Sequence, residues 1–178
     1  MAKSKWAVDA SHSSIDFSIR HMMIAKVKGT FHAFEAQIDA DPTDLTTAEV
    51  FFNVDLGSID TRNQDRDNHL RSADFFDVET YPSMTFTSTS FTKTGEGEYT
   101  VTGDLSLHGV TRPETFTVVF EGAGKDPWGN EKVGFSAHGT INRSDYGLTY
   151  NAALETGGVL IGDEIKVSLE IEAMKAAE

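Results

Sequence analysis

Alternation of apolar and polar residues dominates the chain. Within residues 14–21 (SIDFSIRH), Ile15, Phe17 and Ile19 fall on one face, and serines and charged residues fall on the other. A two-residue period is typical of an antiparallel strand with one face on a core and one face in water. The same pattern, clear or weak, predicts eight strands, at residues 14–21, 30–40, 48–56, 84–92, 99–109, 113–121, 133–141 and 164–173.

The segment 61–76 (TRNQDRDNHLRSADFF) does not alternate. As a helix it places Arg66, His69 and Leu70 on one stripe, at the spacing of neighbours on a helix surface. Thr61 has the spacing of a capping-box residue at the start of that helix. We therefore expect a short helical connection, with two polar side chains on its inner stripe.

Eight long antiparallel strands joined mostly by short loops favour a closed up-and-down barrel over a sandwich. The predicted fold class is all-β, an eight-stranded antiparallel barrel with a short helical connection near residues 61–76, in one domain over residues 1–178. A barrel of this size either fills with side chains or encloses one small ligand.

Small residues stand in several of the apolar rows that should face the barrel interior. They are Gly103, Gly139, Ala48 and Ala137. Such positions leave space for a ligand, or else the glycines mark bends where the barrel curves. The sequence leaves both interpretations open.

Composition narrows the chemistry. The 178 residues include no cysteine, so disulfides, thiolate catalysis and cysteine metal sites are excluded. The formal charge of −13 disfavours binding to nucleic acid. No signal peptide or membrane-length apolar run is visible, which predicts a cytoplasmic protein without an integral membrane segment. No nucleotide-binding, hydrolase or local metal-ligand motif occurs, so no cofactor, metal or catalytic residue is predicted.

Several stretches resemble the YceI-like family over nearly the whole chain. They are WAVDASHSSIDFSIRHM, VKGTFHAFEAQI, SIDTRNQDRDNHLRSADFFDVETYPSMTFTS, VTGDLSLHGVTRP, GFSAHGTINRSDYGL and IGDEIKVSLEIEA. The resemblance implies a lipocalin-like barrel around a deep apolar tunnel that holds a long-chain amphiphile. Polyisoprenoids, including isoprenyl diphosphates and quinone-like molecules, are the ligands it implies first, with fatty acids and amides as alternatives. It also implies a homodimer, and many members of the family are exported to the periplasm, although no export signal is visible in this sequence.

The expected tunnel lining combines the inward strand positions with apolar residues near strand ends and in the helical connection. Methionine suits such a pocket, because its side chain adapts to a flexible ligand. The predicted lining residues are Ile15, Phe17, Ile19, Met22, Met23, Val50, Phe52, Val54, Leu70, Phe75, Phe76, Met84, Phe86, Leu105, Leu107, Phe135, Ile165 and Val167.

Four polar residues are candidates for contact with a ligand headgroup. Arg66 and His69 would lie at the rim if the helix caps a barrel mouth, and His21 closes the apolar row of the first predicted strand. Arg143, in NRSDYG, resembles a second family signature. Cationic donors suit a diphosphate, carboxylate or carbonyl. Each of these side chains is equally compatible with a structural role, tied to a carboxylate or a backbone carbonyl.

Three functions remain open at this stage. The first is a binding protein that carries or sequesters a long-chain isoprenoid or isoprenoid-quinone amphiphile. The second is an enzyme acting on such a lipid, with His21 or His69 as a base. The third is a structural or stress-related partner protein whose barrel is filled by side chains.

Overall fold

The computed structural model describes residues 3–152, 154 and 160–176. Within them, one α-helix, α1, spans Gln64–Arg71, and 3₁₀ helices span Ala10–His12, Leu45–Thr47, Leu56–Ser58 and Arg143–Tyr146. The strands are β1 (Ser4–Val8), β2 (Ser14–His21), β3 (Ala25–Phe31), β4 (Phe34–Ala40), β5 (Glu49–Asp55), β6 (Ile59–Asp60), β7 (Ser83–Gly95), β8 (Glu98–Leu107), β9 (Val110–Lys125), β10 (Glu131–Asn142) and β11 (Ile161–Lys175).

Eight of these strands close a barrel. Their order is β1-β4-β5-β7-β8-β9-β10-β11, and β1 pairs antiparallel with both β4 and β11 to complete the ring. Strands β2, β3 and β6 prolong the wall, since β11 pairs with β1 near its C-terminal end and with β2 along the rest of its length. The prediction of a closed eight-stranded antiparallel barrel with one short helix is confirmed.

Three strands, β1, β3 and β6, were not predicted, because the alternation pattern is too short or is broken in them. Two of these strands are short, five residues in β1 and two in β6. In β3 the apolar row is broken by Gly29, whose position is covered by a neighbouring side chain. A Cβ atom there would lie 2.4 Å from Cζ of Phe17. The alternation pattern considers each residue's own side chain, so it does not reveal that a neighbouring ring shields Gly29.

Helix α1 is shorter than the predicted segment and begins differently. Its N-cap is Asn63, whose side-chain oxygen accepts a hydrogen bond from the backbone N–H of Arg66 at 3.0 Å. The prediction that Thr61 caps this helix is therefore wrong. Its backbone N–H donates instead to Oδ1 of the buried Asp67, at 2.9 Å. This bond fixes the start of α1 to the chain that leaves β6.

Two inward glycines accommodate aromatic rings from neighbouring strands. A Cβ atom at Gly139 would lie 2.4 Å from Cδ1 of Phe116, and one at Gly103 would lie 2.5 Å from Cζ of Phe86. The two rings pack edge to face, with centroids 5.4 Å apart. Side chains therefore occupy part of the space that these glycines leave. Gly103 also lies opposite a β-bulge between Ser88 and Ser90, and a Cβ atom there would meet the backbone carbonyl of Thr87, so the bend interpretation holds at this position.

We expect Gly139→Ala to lower the free energy of unfolding by roughly 1–3 kcal/mol, as overpacking does. The added methyl group forces the Phe116 ring to move, so Gly139→Ala combined with Phe116→Leu should recover part of the loss. Denaturant unfolding measures both values. The control is Gly134→Ala on the same strand, because a Cβ atom there meets only Cβ of Glu121 at 3.7 Å. Equal stability of the two alanine variants would contradict this explanation.

Candidate functional site

The barrel encloses two adjoining cavities. One is narrow, about 140 Å³, and the other is wide, about 470 Å³. They abut at four shared lining residues, Ile15, Met84, Ile141 and Val167. We call the two cavities together the tunnel, and the barrel is therefore not filled by its own side chains.

The narrow cavity is the apolar end of the tunnel. The 3₁₀ helix Leu45–Thr47 lies across it, with Leu45 only 2% exposed and in the cavity wall. The indole N–H of Trp6 donates to the carbonyl of Ala40 at 3.1 Å and holds this end of the barrel together. The lining carries no charged residue, so this cavity suits hydrocarbon.

Sixteen of the eighteen predicted lining residues contact the tunnel. Those in the narrow cavity are Val50, Phe52, Val54, Phe86, Leu105 and Phe135. Those in the wide cavity are Phe17, Ile19, Leu70, Phe75, Phe76, Leu107 and Ile165. Ile15, Met84 and Val167 contact both.

Met22 and Met23 do not reach the tunnel, and their assignment to the lining is corrected. They lie in the turn between β2 and β3, 44% and 52% exposed. The inward row ends at His21, and the turn that follows carries both side chains outward. Sequence reasoning also missed Ile38 and Tyr150, which line the tunnel. Ile38 falls in a weakly alternating strand, and Tyr150 falls in an irregular connection without any period.

The wide cavity brings together all four headgroup candidates. His21 comes from the end of β2, Arg66 and His69 come from α1, and Arg143 follows β10. Arg20 lies in the same wall. One end of the tunnel is thus apolar, whereas the other is lined by several nitrogen donors together with the carboxylates of Asp16 and Asp65.

Arg143 is held by backbone carbonyls. Its side chain is 3% exposed, Nε donates to the carbonyl of Gly162 at 2.9 Å, and Nη1 donates to the carbonyls of Leu148 and Tyr150 at 2.6 and 3.0 Å. Among the residues that the structure describes, the nearest carboxylate is that of Asp163, 4.0 Å from Nη2. Burial lowers the pKa of the guanidinium. Arg143 therefore ties the chain on either side of the wide cavity and leaves a weakly compensated positive charge beside it.

Local structure places Arg143 at this point. Asn142 caps the 3₁₀ helix Arg143–Tyr146, accepting from the N–H of Ser144. The hydroxyl of the fully buried Tyr146 donates to Oε2 of Glu114, and burial together with this bond raises the pKa of the phenol well above its usual range. Both ends of the short helix are thus fixed by bonds that do not involve the Arg143 side chain.

The helix arginine differs from Arg143, because part of its guanidinium is free. Arg66 Nε donates to Oγ1 of Thr61 at 2.8 Å, and Nη2 donates to the Thr61 carbonyl at 2.6 Å. The sequence allowed a structural tie of Arg66 to a carboxylate or to a backbone carbonyl, and the structure shows a tie to Thr61. Among the described residues Nη1 has no hydrogen-bond partner, so it can donate into the cavity.

The two histidines at the wide cavity, which forms the mouth of the tunnel, also differ in their contacts. Nε2 of His69 lies 2.9 Å from Oδ2 of Asp74, and the His69 ring packs edge-on against Phe75 and Tyr150, with centroids 5.0 Å apart in each pair. Neither ring nitrogen of His21 has a hydrogen-bond partner within the part of the chain that the structure describes. Arg66, His21 and Arg20 therefore have donor capacity left for a ligand.

A second polar cluster lies at the opposite end of the barrel. Nδ1 of His12 is 2.7 Å from Oδ2 of Asp9 and 3.5 Å from Glu172. Hydrogen bonds from Ser11 and His12 lower the pKa of Asp9, and the bond to Asp9 raises the pKa of His12. The ammonium of Lys132 lies 3.5 Å from Glu172, so a positive charge of the chain itself already balances these carboxylates. This cluster acts as a surface tie.

The closed antiparallel barrel with an internal tunnel defines the chain as a lipocalin-like barrel protein. The YceI-like domain model matches residues 6–173, and the chain belongs to the YceI-like family. A UPF0312 protein of Staphylococcus epidermidis is 45% identical over 170 residues, which cover 95% of this chain and 96% of that protein. A UPF0312 protein of Staphylococcus aureus is 41% identical over the same length.

Solved structures share the fold. A Campylobacter jejuni YceI protein is 34% identical with a TM-score of 0.76, covering 89% of this chain and 90% of its own. Burkholderia cenocepacia BcnA is 24% identical, with a TM-score of 0.81 and coverage of 93% and 98%. A polyisoprenoid binding domain from Saccharophagus degradans is 17% identical, with a TM-score of 0.72 and coverage of 96% and 98%. Within the described residues, no helix is long and apolar enough to cross a membrane.

Proposed function

We propose that this protein binds a long-chain amphiphile of the isoprenoid or isoprenoid-quinone type in the tunnel and carries or sequesters it. The observation that carries the proposal is the tunnel itself, with a narrow end free of charged residues and a mouth lined by Arg66, His21 and Arg143. Burial of apolar chain supplies affinity at roughly 25 cal/mol per Å². Polar donors at one end select the headgroup.

Two features favour an isoprenoid among the apolar chains. The Saccharophagus degradans structure with the same fold is described as polyisoprenoid-binding. The tunnel wall is rich in aromatic and β-branched side chains, such as Phe52, Phe86 and Val167, which suit a methyl-branched chain. A fatty acid or fatty amide has the same polarity pattern and is the alternative ligand.

We propose binding without catalysis. At the mouth, His69 is held by Asp74 and Arg143 is held by carbonyls, and the described residues that line the tunnel present no serine or threonine beside either histidine. Turnover of a prenyl diphosphate or ester that is lost in His21→Ala or His69→Ala would favour the enzymatic alternative instead. We further propose that residues 1–178 act as one binding domain and as a homodimer, which light scattering of the purified protein tests.

Native mass spectrometry of freshly purified protein, followed by organic extraction, tests the proposal. A stoichiometric long-chain isoprenoid amphiphile is the expected result. A fatty acid or amide at the same stoichiometry would select the alternative ligand. A protein that is empty and also takes up no added isoprenoid alcohol, phosphate or quinone would refute the proposal.

We expect His21→Leu to weaken binding of an isoprenoid phosphate by about tenfold, the loss of one hydrogen bond to a charged group. Binding of the matching isoprenoid alcohol should change little, since the apolar contacts remain. Fluorescence titration with the two ligands gives both values. His138→Leu, on the exposed outer face of β10, is the matched control. Equal losses for alcohol and phosphate would remove His21 from the headgroup site.

A further inference from the structure

The turn between β2 and β3 exposes three consecutive apolar side chains. Met22, Met23 and Ile24, which we call the turn tip, are 44%, 52% and 81% exposed. Large apolar side chains are normally scattered on a protein surface, and a contiguous exposed group indicates contact with another apolar phase. Within the described part of the chain, no strand pairing requires these residues to be apolar.

The backbone of the turn tip makes this choice of residues costly. Met22 and Met23 have φ of 55° and 64°, and the N–H of Ile24 donates to the carbonyl of His21 at 3.3 Å. Positive φ at both central turn positions favours Asn and Gly. The β8–β9 turn at the same end of the barrel has Gly109 at its second positive-φ position. Two methionines in the left-handed region are strained, and such strain is concentrated at functional segments.

The hairpin that carries the turn tip is basic, although the whole chain is acidic. Residues 17–34 contain no Asp or Glu, and they carry Arg20, Lys26 and Lys28, although the chain has 28 acidic residues and a net charge of −13. Screening limits the reach of exposed charges to about 10 Å at 0.1 M salt. An anionic surface that touches the turn tip therefore meets the basic residues of this hairpin first, with Asp163 and Glu164 on the neighbouring strand β11 beside Arg20.

The turn tip is continuous with the mouth of the tunnel. Arg20 and His21, the two residues before it, line the wide cavity. The N–H of Met22 donates to the carbonyl of Leu160 at 2.7 Å, and Leu160 lines the same cavity. A surface that holds the turn tip would thus lie beside the mouth.

We propose that the turn tip inserts into the surface of an anionic lipid bilayer. Met22, Met23 and Ile24 enter the boundary between headgroups and acyl chains, while Lys26 and Lys28 contact the anionic headgroups. The mouth then faces the bilayer, and an apolar ligand passes between membrane and tunnel without crossing water. The transfer step rests on the proposed function, whereas the docking itself does not.

Flotation with phosphatidylcholine vesicles, with and without phosphatidylglycerol, tests the docking. Wild type should float with the anionic vesicles, and Met22→Asn combined with Met23→Gly and Ile24→Ser should bind them at least about tenfold less. Asn and Gly suit the positive φ values, so this variant should melt no lower than wild type. Lys26→Glu combined with Lys28→Glu should lose the preference for phosphatidylglycerol. The control is Trp128→Ser, which removes an 82% exposed indole from the β9–β10 loop at the opposite end and should float like wild type.

The outcomes separate docking from ligand binding when uptake of isoprenoid from detergent solution is measured in parallel. Wild type that takes up isoprenoid but does not float would overturn the docking alone. Wild type that floats but takes up no isoprenoid would overturn the proposed function alone. Flotation that is unchanged in the triple variant, or a turn tip that instead controls the mass of a dimer in solution, would overturn the assignment of this surface to a bilayer.

Discussion

Val167→Trp should divide the tunnel and reduce binding of a long-chain isoprenoid by more than about tenfold. Val167 lines both cavities, so an indole at this position lies where they meet. A ligand then loses the narrow cavity. Each CH₂ group that stays in water costs about 0.8 kcal/mol, and a tenfold change in affinity corresponds to about 1.4 kcal/mol, so excluding two such groups already exceeds tenfold. Fluorescence titration with isoprenoids of increasing length measures the effect.

Chain length provides the internal comparison for this variant. A short isoprenoid that fits the wide cavity should bind Val167→Trp almost as well as wild type, because that cavity remains. Ser168→Trp places the same ring on the exposed outer face of the same strand and should leave both affinities unchanged. A Val167→Trp protein that is folded and still prefers long chains would show that the ligand does not extend into the narrow cavity.

The barrel walls were predictable from sequence, but their hollowness was not. Inward residues such as Phe52, Leu105 and Val167 alternate in the same way whether a barrel is filled or hollow. The difference lies in how rings from neighbouring strands meet across the interior. Phe116 over Gly139 fills one gap, whereas the space beside Ala137 remains open. Such distances arise only when the ring of strands closes.

The mouth was predictable only where a polar residue interrupts a regular pattern. His21 stands out because it ends an apolar row, and Arg66 stands out on a helical stripe. Nothing in the sequence indicates that Arg66 bonds Thr61, although only five residues separate them, because the bond depends on how the chain enters α1. The packing of Tyr150 against His69 was hidden for another reason, since these two residues lie far apart in the chain. Met22 was assigned to the tunnel because the strand pattern cannot show where a turn reverses the chain.

We expect Arg143→Met to be the most destabilising substitution at the mouth, lowering the free energy of unfolding by about 3 kcal/mol. Methionine fills similar space but leaves the carbonyls of Leu148, Tyr150 and Gly162 without their donor. Denaturant unfolding measures the loss. Arg112→Met is the control, because Arg112 is half exposed and lies 3.9 Å from Asp145, an exposed pair worth about 0–1 kcal/mol. A similar loss of unfolding free energy in the two variants would contradict a structural role for the bonds that Arg143 makes to the backbone carbonyls.

Arg143→Lys separates the two proposed roles of Arg143, which are to hold backbone carbonyls together and to place a positive charge beside the wide cavity. An ammonium retains the positive charge beside the wide cavity, but its point geometry cannot reproduce the planar fork that reaches carbonyls on both sides. We therefore expect Arg143→Lys to lose most of the stability that Arg143→Met loses. Preference for an isoprenoid phosphate over the alcohol should survive in Arg143→Lys and fall in Arg143→Met if the buried charge acts on the headgroup. Equal preference in both variants would restrict Arg143 to holding the chain and would leave headgroup selection to Arg66 and His21.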